Sequence, residues 1–223
     1  MSQMTNWDLY RLANFIANND ELAQAMGATE FGLELAAKNM RHFRNRIGLP
    51  ESYRQGQVAV GVESTRLNNS DMVPFFEDGL EVNVAGGIAI LPGWYYILDY
   101  WTADSRSSEI ITYGEYSRRK TGLKAPSAKD LVAYIVSDGL KVFPAATAKV
   151  WVNYYRKPTT PVFTTVVNTT TLKLEYDADN SVELQWDDGN KLDILHMILT
   201  DYGLNIQRSD VVQIAEKFVE TGK

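Results

Sequence analysis

The chain has 223 residues, of which 45% are hydrophobic and 22% charged, with a net charge of −6 and no cysteine. These figures describe an ordinary globular protein and exclude disulfides, thiolate catalysis and cysteine-based zinc sites. They also argue against a dedicated DNA-binding protein, for which a basic balance is the rule. The length suits one large domain or two small ones. The first residues lack the basic and apolar regions of a secretory signal. The longest uncharged stretch, Val82 to Leu98, is too short and too broken to span a bilayer. A soluble intracellular product is expected.

In chain order, Thr5 with Asp8 three residues on forms a capping-box pattern, followed by helical periodicity through Trp7, Tyr10, Leu12, Phe15 and Ile16. Asn18, Asn19 and Asp20 end it. A second helix starts after Thr29, with Ala36, Met40, Phe43 and Ile47 on its inner face and Gly48 and Pro50 as its stop. Lys38, Arg41, Arg44 and Arg46 crowd its last turns. They read as a solvated face that favours the negative end of the helix, or more sharply as a patch for an acidic partner or passing nucleic acid.

From Gln57 to Tyr116 the period becomes that of strands: Val58–Val62, Leu80–Val84, Ile88–Leu91, Trp94–Trp101 and Ile110–Tyr113. Asp78-Gly79 is a hairpin-turn signal. Ser117 to Ala128, with Arg118, Arg119, Lys120 and Lys124, reads as a polar loop.

The stretch from Gly139 to Phe163 contains the clearest strand of the chain. Val150, Val152 and Tyr154 fall on one face, and Trp151, Asn153 and Tyr155 on the other. Pro158 and Pro161 stop it. Leu140–Phe143, ending at Pro144, is expected to pair with it as an aromatic hairpin, leaving Arg156 and Lys157 exposed at the end. Threonine-rich strands follow at Val162–Val167 and Thr171–Tyr176, then an alternating strand at Val182–Trp186. Two helices close the chain. The first buries Leu192, Leu195, Leu199 and Tyr202 and stops at Gly203. The second is capped by Ser209 or Asp210 and turns Val211, Ile214, Ala215 and Phe218 inward.

The fold class read from this pattern is α+β: an N-terminal helical segment (1–50), a central antiparallel β-rich core of sandwich or barrel type (51–186), and a C-terminal helical pair (187–223).

The sequence has no Walker-type loop, no G-x-G-x-x-G after a strand and no nucleophile elbow. His42 and His196 lie on different helices, and His196 reads as a boundary packing residue. Asp177, Asp179 and Ser181 imitate the start of a calcium loop, but Val182 and Asp188 stand where glycine and glutamate are needed. Asp187 and Asp188 precede a helix and read as caps. No catalytic residue, metal site or cofactor site is expected.

Three stretches taken together carry a resemblance. They are ATEFGLELAAKNMRHFRNRIG, then KAPSAKDLVAYIVSDGLKVFPAATAKVWVNYYRKPTTPVF, then VELQWDDGNKLDILHMILTDYGLNIQRSDVVQIAEKF. In this order the chain resembles virion structural proteins of tailed phages that infect Bacteroidetes, the crAss-like phages among them. The Gly- and Trp-rich middle segment, AGGIAILPGWYYILDYW, departs from that pattern.

The resemblance implies a non-enzymatic neck ring or adaptor, a head-to-tail connector between portal and tail. It would be made in the host bacterial cytoplasm and built into the virion as a homo-oligomeric ring, commonly of twelve copies. Its partners would be the portal and other neck or tail proteins, with genomic DNA passing non-specifically and no membrane. The expected assembly contacts are Tyr154, Tyr155, Arg156 and Lys157, with Lys38, Arg41, Arg44, Arg118 and Arg119. A different reading makes the chain a tail-associated host-surface or carbohydrate-binding module that uses the Trp94–Trp101 aromatics. A hydrolase is a third reading, with no residue to carry it.

Overall fold

Thr5 and Asp8 cap each other: the Thr5 amide donates to Asp8 Oδ2 at 3.0 Å, and the Asp8 amide donates to Thr5 Oγ1 at 3.2 Å. The reciprocal cap opens the first helix, as its sequence pattern requires. The computed structural model describes residues 3–19, 26–47, 70–103, 109–120, 122, 125–127, 130–202 and 213–214. In order, its elements are α1 (Asn6–Asn19), α2 (Ala28–Ile47), a 3-10 turn (Ser70–Phe75), β1 (Phe76–Ala85), β2 (Ile88–Ile90), β3 (Trp94–Trp101) and β4 (Glu109–Ile110). There follow α3 (Tyr113–Lys120), β5 (Val132–Val136), β6 (Gly139–Phe143), β7 (Lys149–Arg156), β8 (Thr165–Val167), β9 (Leu174–Tyr176) and α4 (Asp188–Asp201). The α+β class is as expected.

The described residues fall into two compact units, one of residues 3–47, 70–74 and 158 onward, the other of Phe75–Lys157. Residues 158–186, grouped with the β-rich segment on sequence, thus pack with the helices.

The sheet unit holds seven strands in the order β3-β7-β1-β2-β6-β5-β4. All pairs are antiparallel except β4 with β5, which is parallel, so the sheet is mixed rather than antiparallel throughout. It curls nearly into a barrel, and the Tyr100 hydroxyl of β3 donates to the Glu109 carbonyl of β4 at 3.3 Å. Val150, Val152 and Tyr154 enter its core beside Val82, Ile97, Tyr100, Leu140 and Val142, as strand alternation predicts.

Two expectations about strand pairing fail here. β6 and β7 are not a hairpin: β6 pairs with β2 and β5, β7 pairs with β1 and β3, and the β1–β2 hairpin lies between them. Proline and small residues mark a change of direction, and the partner is chosen by non-local pairing. Asp78-Gly79 is not a turn but a bulge inside β1, where the register shifts between Glu77 and Leu80 and the Gly79 amide donates to Asn153 Oδ1 at 2.7 Å. The hairpin turn lies instead at Gly86-Gly87, both with positive φ.

Residues 113–120, the last four of them expected in a loop, form helix α3. Gly114 and Ser117 are weak helix formers, but the Thr112 hydroxyl caps the Glu115 amide at 3.2 Å and Tyr116 stacks on Phe143 at 4.0 Å. Tertiary packing overrides propensity.

In the helical unit, α2 buries Phe31, Leu35, Lys38, Asn39, His42, Phe43 and Ile47, a face rotated from the expected one because Ala36 and Met40 are only half-buried. α4 likewise buries Asn190, Lys191, Ile194, Leu195, Ile198 and Leu199, whereas Leu192 is half-buried and Tyr202 exposed. Asp187 caps α4 by accepting from the Asn190 amide at 2.8 Å, as its position suggested. Trp7, Tyr10, Phe31, Phe163 and Tyr176 form an aromatic cluster, with Phe163 between Tyr10 at 5.2 Å and Phe31 at 5.1 Å.

The strand expected at Val182–Trp186 reduces to one bridge, Val162 with Val182. The amide side chain of Asn6 takes the place of a neighbouring strand, donating to the Val182 carbonyl at 3.0 Å and accepting from the Leu184 amide at 3.3 Å. Val58–Val62, the stops at Gly48, Pro50 and Gly203, and Lys124 lie outside the described residues. So does the last helix, except residues 213–214, which are helical.

Candidate functional site

Turns decide where the sheet unit can receive a ligand. The β2–β3 turn is Leu91-Pro92-Gly93, with Gly93 at φ 59°, and it delivers Trp94 and Tyr95 at the start of β3. The β5–β6 turn supplies Ser137 and Asp138, and the end of β7 supplies Lys157. Two backbone bonds fasten these segments: the Leu91 amide to the Asp138 carbonyl at 2.9 Å, and the Lys157 amide to the Gly93 carbonyl at 2.8 Å. Together with Ile90 they line an open cleft of about 540 Å³. The lining residues include one carboxylate (Asp138), one ammonium (Lys157), two hydroxyls (Ser137 and Tyr95) and two aromatic residues (Trp94 and Tyr95), of which Trp94 also packs against the sheet core.

The expected assembly residues separate in space. Tyr154 and Tyr155 are buried, on opposite sides of β7, and burial raises both phenol pKa values. Arg156 is half-buried rather than exposed. Its Nε lies 3.2 Å from Glu77 Oε1, and its guanidinium sits 5.9 Å from the Phe75 ring centre. Lys157 alone of the four is exposed, and it borders the cleft. Arg119 is held between Glu109 at 2.8 Å and Glu115 at 2.7 Å, and Arg118 is exposed. Their helix rests by Tyr116 on Phe143, at the end of β6 away from the Ser137–Asp138 turn. The structure does not bring these arginines to Lys157.

On α2 the basic cluster also divides. Lys38 is buried, not solvated, and bridges to Asp201 of α4 and to Glu34 at 3.2 Å. The hydrogen bond to Asp201 raises the lysine pKa and lowers that of the aspartate. Arg46 ties α2 to Asp193 at 2.9 Å and Asp71 at 3.3 Å. Arg41 and Arg44 are exposed.

The helical unit also buries a polar network that its sequence did not announce. Trp186 Nε1 donates to Asn39 Oδ1 at 2.7 Å, Asn39 Nδ2 donates to the Thr159 carbonyl at 3.2 Å, and His42 packs edge-on against Trp186 at 4.8 Å. Lys191, 2% exposed, donates to the Met4 carbonyl, while the Met4 amide donates to Asp188 Oδ1 at 2.9 Å. Burial lowers the Lys191 pKa. The available signal was spacing: Asn39, His42, Asn190 and Lys191 all fall on inner faces, where a polar residue needs a partner. These groups join elements of the helical unit to one another.

Asp177 Oδ1 accepts from the Asn180 amide at 3.2 Å and Oδ2 from the Asn180 side-chain amide at 2.8 Å, so the calcium-like stretch is a turn closed by its own aspartate. Among the described residues no three His, Asp or Glu side chains group as a metal site, and no helix is long and apolar enough to cross a membrane.

A second surface belongs to the β8–β9 hairpin. It forms a two-stranded sheet of its own, and Val166, Val167, Leu172 and Leu174 are exposed, Leu172 to 80%. Val167 and Leu174 are directly opposed in the register, and the bridged pair Val162 and Val182 is exposed nearby in the chain. Compared with known proteins, the chain matches no family model and none of the curated proteins.

Proposed function

We propose that the chain is a non-enzymatic structural subunit of a tailed-phage virion, a neck ring or adaptor that joins portal to tail around the DNA channel. The observation that carries this reading is the β8–β9 hairpin. A two-stranded sheet is marginal in water, and aliphatic side chains turned outward on it favour a covering partner. In a homo-oligomeric ring of twelve copies, each subunit meets its neighbour through a closing head-to-tail contact. The exposed Arg41, Arg44 and Arg118 are candidate rim contacts, and the acidic chain lets DNA pass without holding it. The resemblance over three ordered stretches supports the same placement.

Imaging of particles carrying a labelled copy of this chain tests it. A ring of label at the portal–tail junction is the expected result. Label confined to the tail tip or the capsid shell overturns it.

A further inference from the structure

Some charged side chains of the fold are tied to one another: Lys38 to Asp201, Arg46 to Asp71 and Asp193, Arg119 to Glu109 and Glu115, Lys149 to Glu81, and Arg156 to Glu77. Others are not, and the cleft at the sheet unit's turns gathers several polar groups of that second kind around one concavity. Among the described residues, the Ser137 hydroxyl, the Asp138 carboxylate, the Lys157 ammonium and the Trp94 indole N–H make no side-chain hydrogen bond or ion pair. Donors and acceptors left uncommitted around one concavity, beside two aromatic rings, are what a ligand site needs.

We propose that this cleft binds a neutral saccharide through Trp94, Tyr95, Ser137, Asp138 and Lys157. The chemistry selects that class in three steps. A pyranose has an apolar C–H face and a rim of hydroxyls, so it matches aromatic surface on one side and polar groups at the edge. A carboxylate accepts from two vicinal hydroxyls, and an ammonium donates to hydroxyl or ring oxygens, both as charge-assisted bonds. The lining charges, one negative and one positive, cancel. An anionic or cationic ligand would set its charge against a like charge in the cleft, and a neutral polyol satisfies both.

The volume of about 540 Å³ lies within the range of roughly 300–1,000 Å³ usual for small-ligand sites. The two backbone bonds that join the turns hold the polar groups in place before a ligand arrives, which lowers the ordering cost of binding. The inference stands on the sheet unit alone and does not depend on the neck placement.

The intact chain on an array of neutral and acidic oligosaccharides tests it, followed by tryptophan-fluorescence titration of the tightest neutral binder. Binding to neutral glycans is expected. Asp138→Ala and Lys157→Ala change exposed side chains, so both are expected to keep the wild-type melting temperature. Each is expected to weaken binding about tenfold, as loss of a charge-assisted hydrogen bond does. Three results overturn the proposal: no neutral glycan bound, an acidic glycan bound more tightly than any neutral one, or wild-type affinity in both variants.

Discussion

His42 Nε2 and Asn190 Oδ1 meet at 2.8 Å inside the helical unit, and that contact sets the protonation of the ring. Asn190 Nδ2 donates to Asp187 Oδ1 at 2.9 Å, which leaves Oδ1 as the acceptor. Nε2 therefore carries the proton, and the 3.4 Å approach of Arg46 Nε to the same atom is packing rather than a hydrogen bond.

Burial lowers the His42 pKa, with Arg46 acting in the same direction and Asn190, Asp193 and Asp71 opposing. Below the unfolded value, about 6.5, the unfolded chain takes up a proton that the folded chain refuses. Stability from this group is therefore full above that pH and falls as pH drops toward the folded pKa. Melting temperature is expected to decline from pH 7.5 to pH 5.5, and His42→Gln, which keeps a donor for Asn190, is expected to flatten that decline. An unchanged slope in the variant would assign the effect to other groups.

The two buried lysines are expected to respond oppositely to the same substitution. Lys38 gains a hydrogen bond to Asp201 that raises its pKa, so its charged form is favoured in the fold. Asp201 is well exposed, so Lys38→Met is expected to cost only about 1 kcal/mol. Lys191 has its pKa lowered by burial, so its charge is held at a cost. Lys191→Met is expected to leave the melting temperature unchanged or to raise it. Parallel thermal melts decide this, and a larger loss at Lys191 than at Lys38 contradicts the assignment.

Local rules written in the sequence survive in the fold. The Thr5–Asp8 cap, the limits of Trp94–Trp101 and the inner face of Val150, Val152 and Tyr154 all follow from spacing that neighbouring residues enforce. Partner choice did not follow. Leu140–Phe143 and the strand after Thr147 are adjacent in sequence and pair elsewhere, because β1 and β2 arrive from some fifty residues away to fill the space between them. The cleft was half legible. Lys157 and the Trp94 aromatics stood out by type, whereas Ser137 and Asp138 looked like an ordinary turn, and only the sheet order brings them together. Lys38 was misread because a lysine on a helix looks solvated until its partner, Asp201, is placed beside it.

Arg156 and Lys157 are neighbours with different roles, which makes a double charge reversal there hard to read. Arg156→Glu removes the Glu77 ion pair and the Phe75 ring contact and sets two carboxylates side by side. A loss of about 1–2 kcal/mol is expected by chemical denaturation. Lys157→Glu, exposed, is expected to denature as the wild type does. Equal destabilisation by the two would show that the Arg156 contacts contribute nothing.

The hairpin surface separates folding from assembly. Val167→Asp together with Leu172→Asp places charges on side chains that are 59% and 80% exposed. The isolated chain is expected to melt within a few degrees of wild type, since exposed substitutions rarely cost more than about 0.5 kcal/mol each. Incorporation into particles is expected to fall at least about tenfold, as loss of an interface anchor does. Normal incorporation would remove the hairpin from the assembly surface.

Gly139 is the residue on which the shape of the cleft turns. Its φ of 151° is one that side chains rarely allow, and an added Cβ would stand 2.1 Å from the Ala89 carbonyl oxygen and 3.0 Å from the Leu91 nitrogen. Both atoms are backbone, so nothing can rotate aside; the β2–β6 pairing at Ile90 and Gly139 must open instead. That opening moves Ile90, Leu91 and the Ser137–Asp138 turn, all of which line the cleft. Gly139→Ala is expected to cost about 2–4 kcal/mol through strain and lost pairing. It should also speed amide exchange at Leu91 and Val142, whereas Gly86→Ala, whose Cβ would meet nothing within 4 Å, should show only the smaller cost of its positive φ. Equal losses in the two variants would mean that the close approach at Gly139 relaxes freely and that the cleft is not rigid.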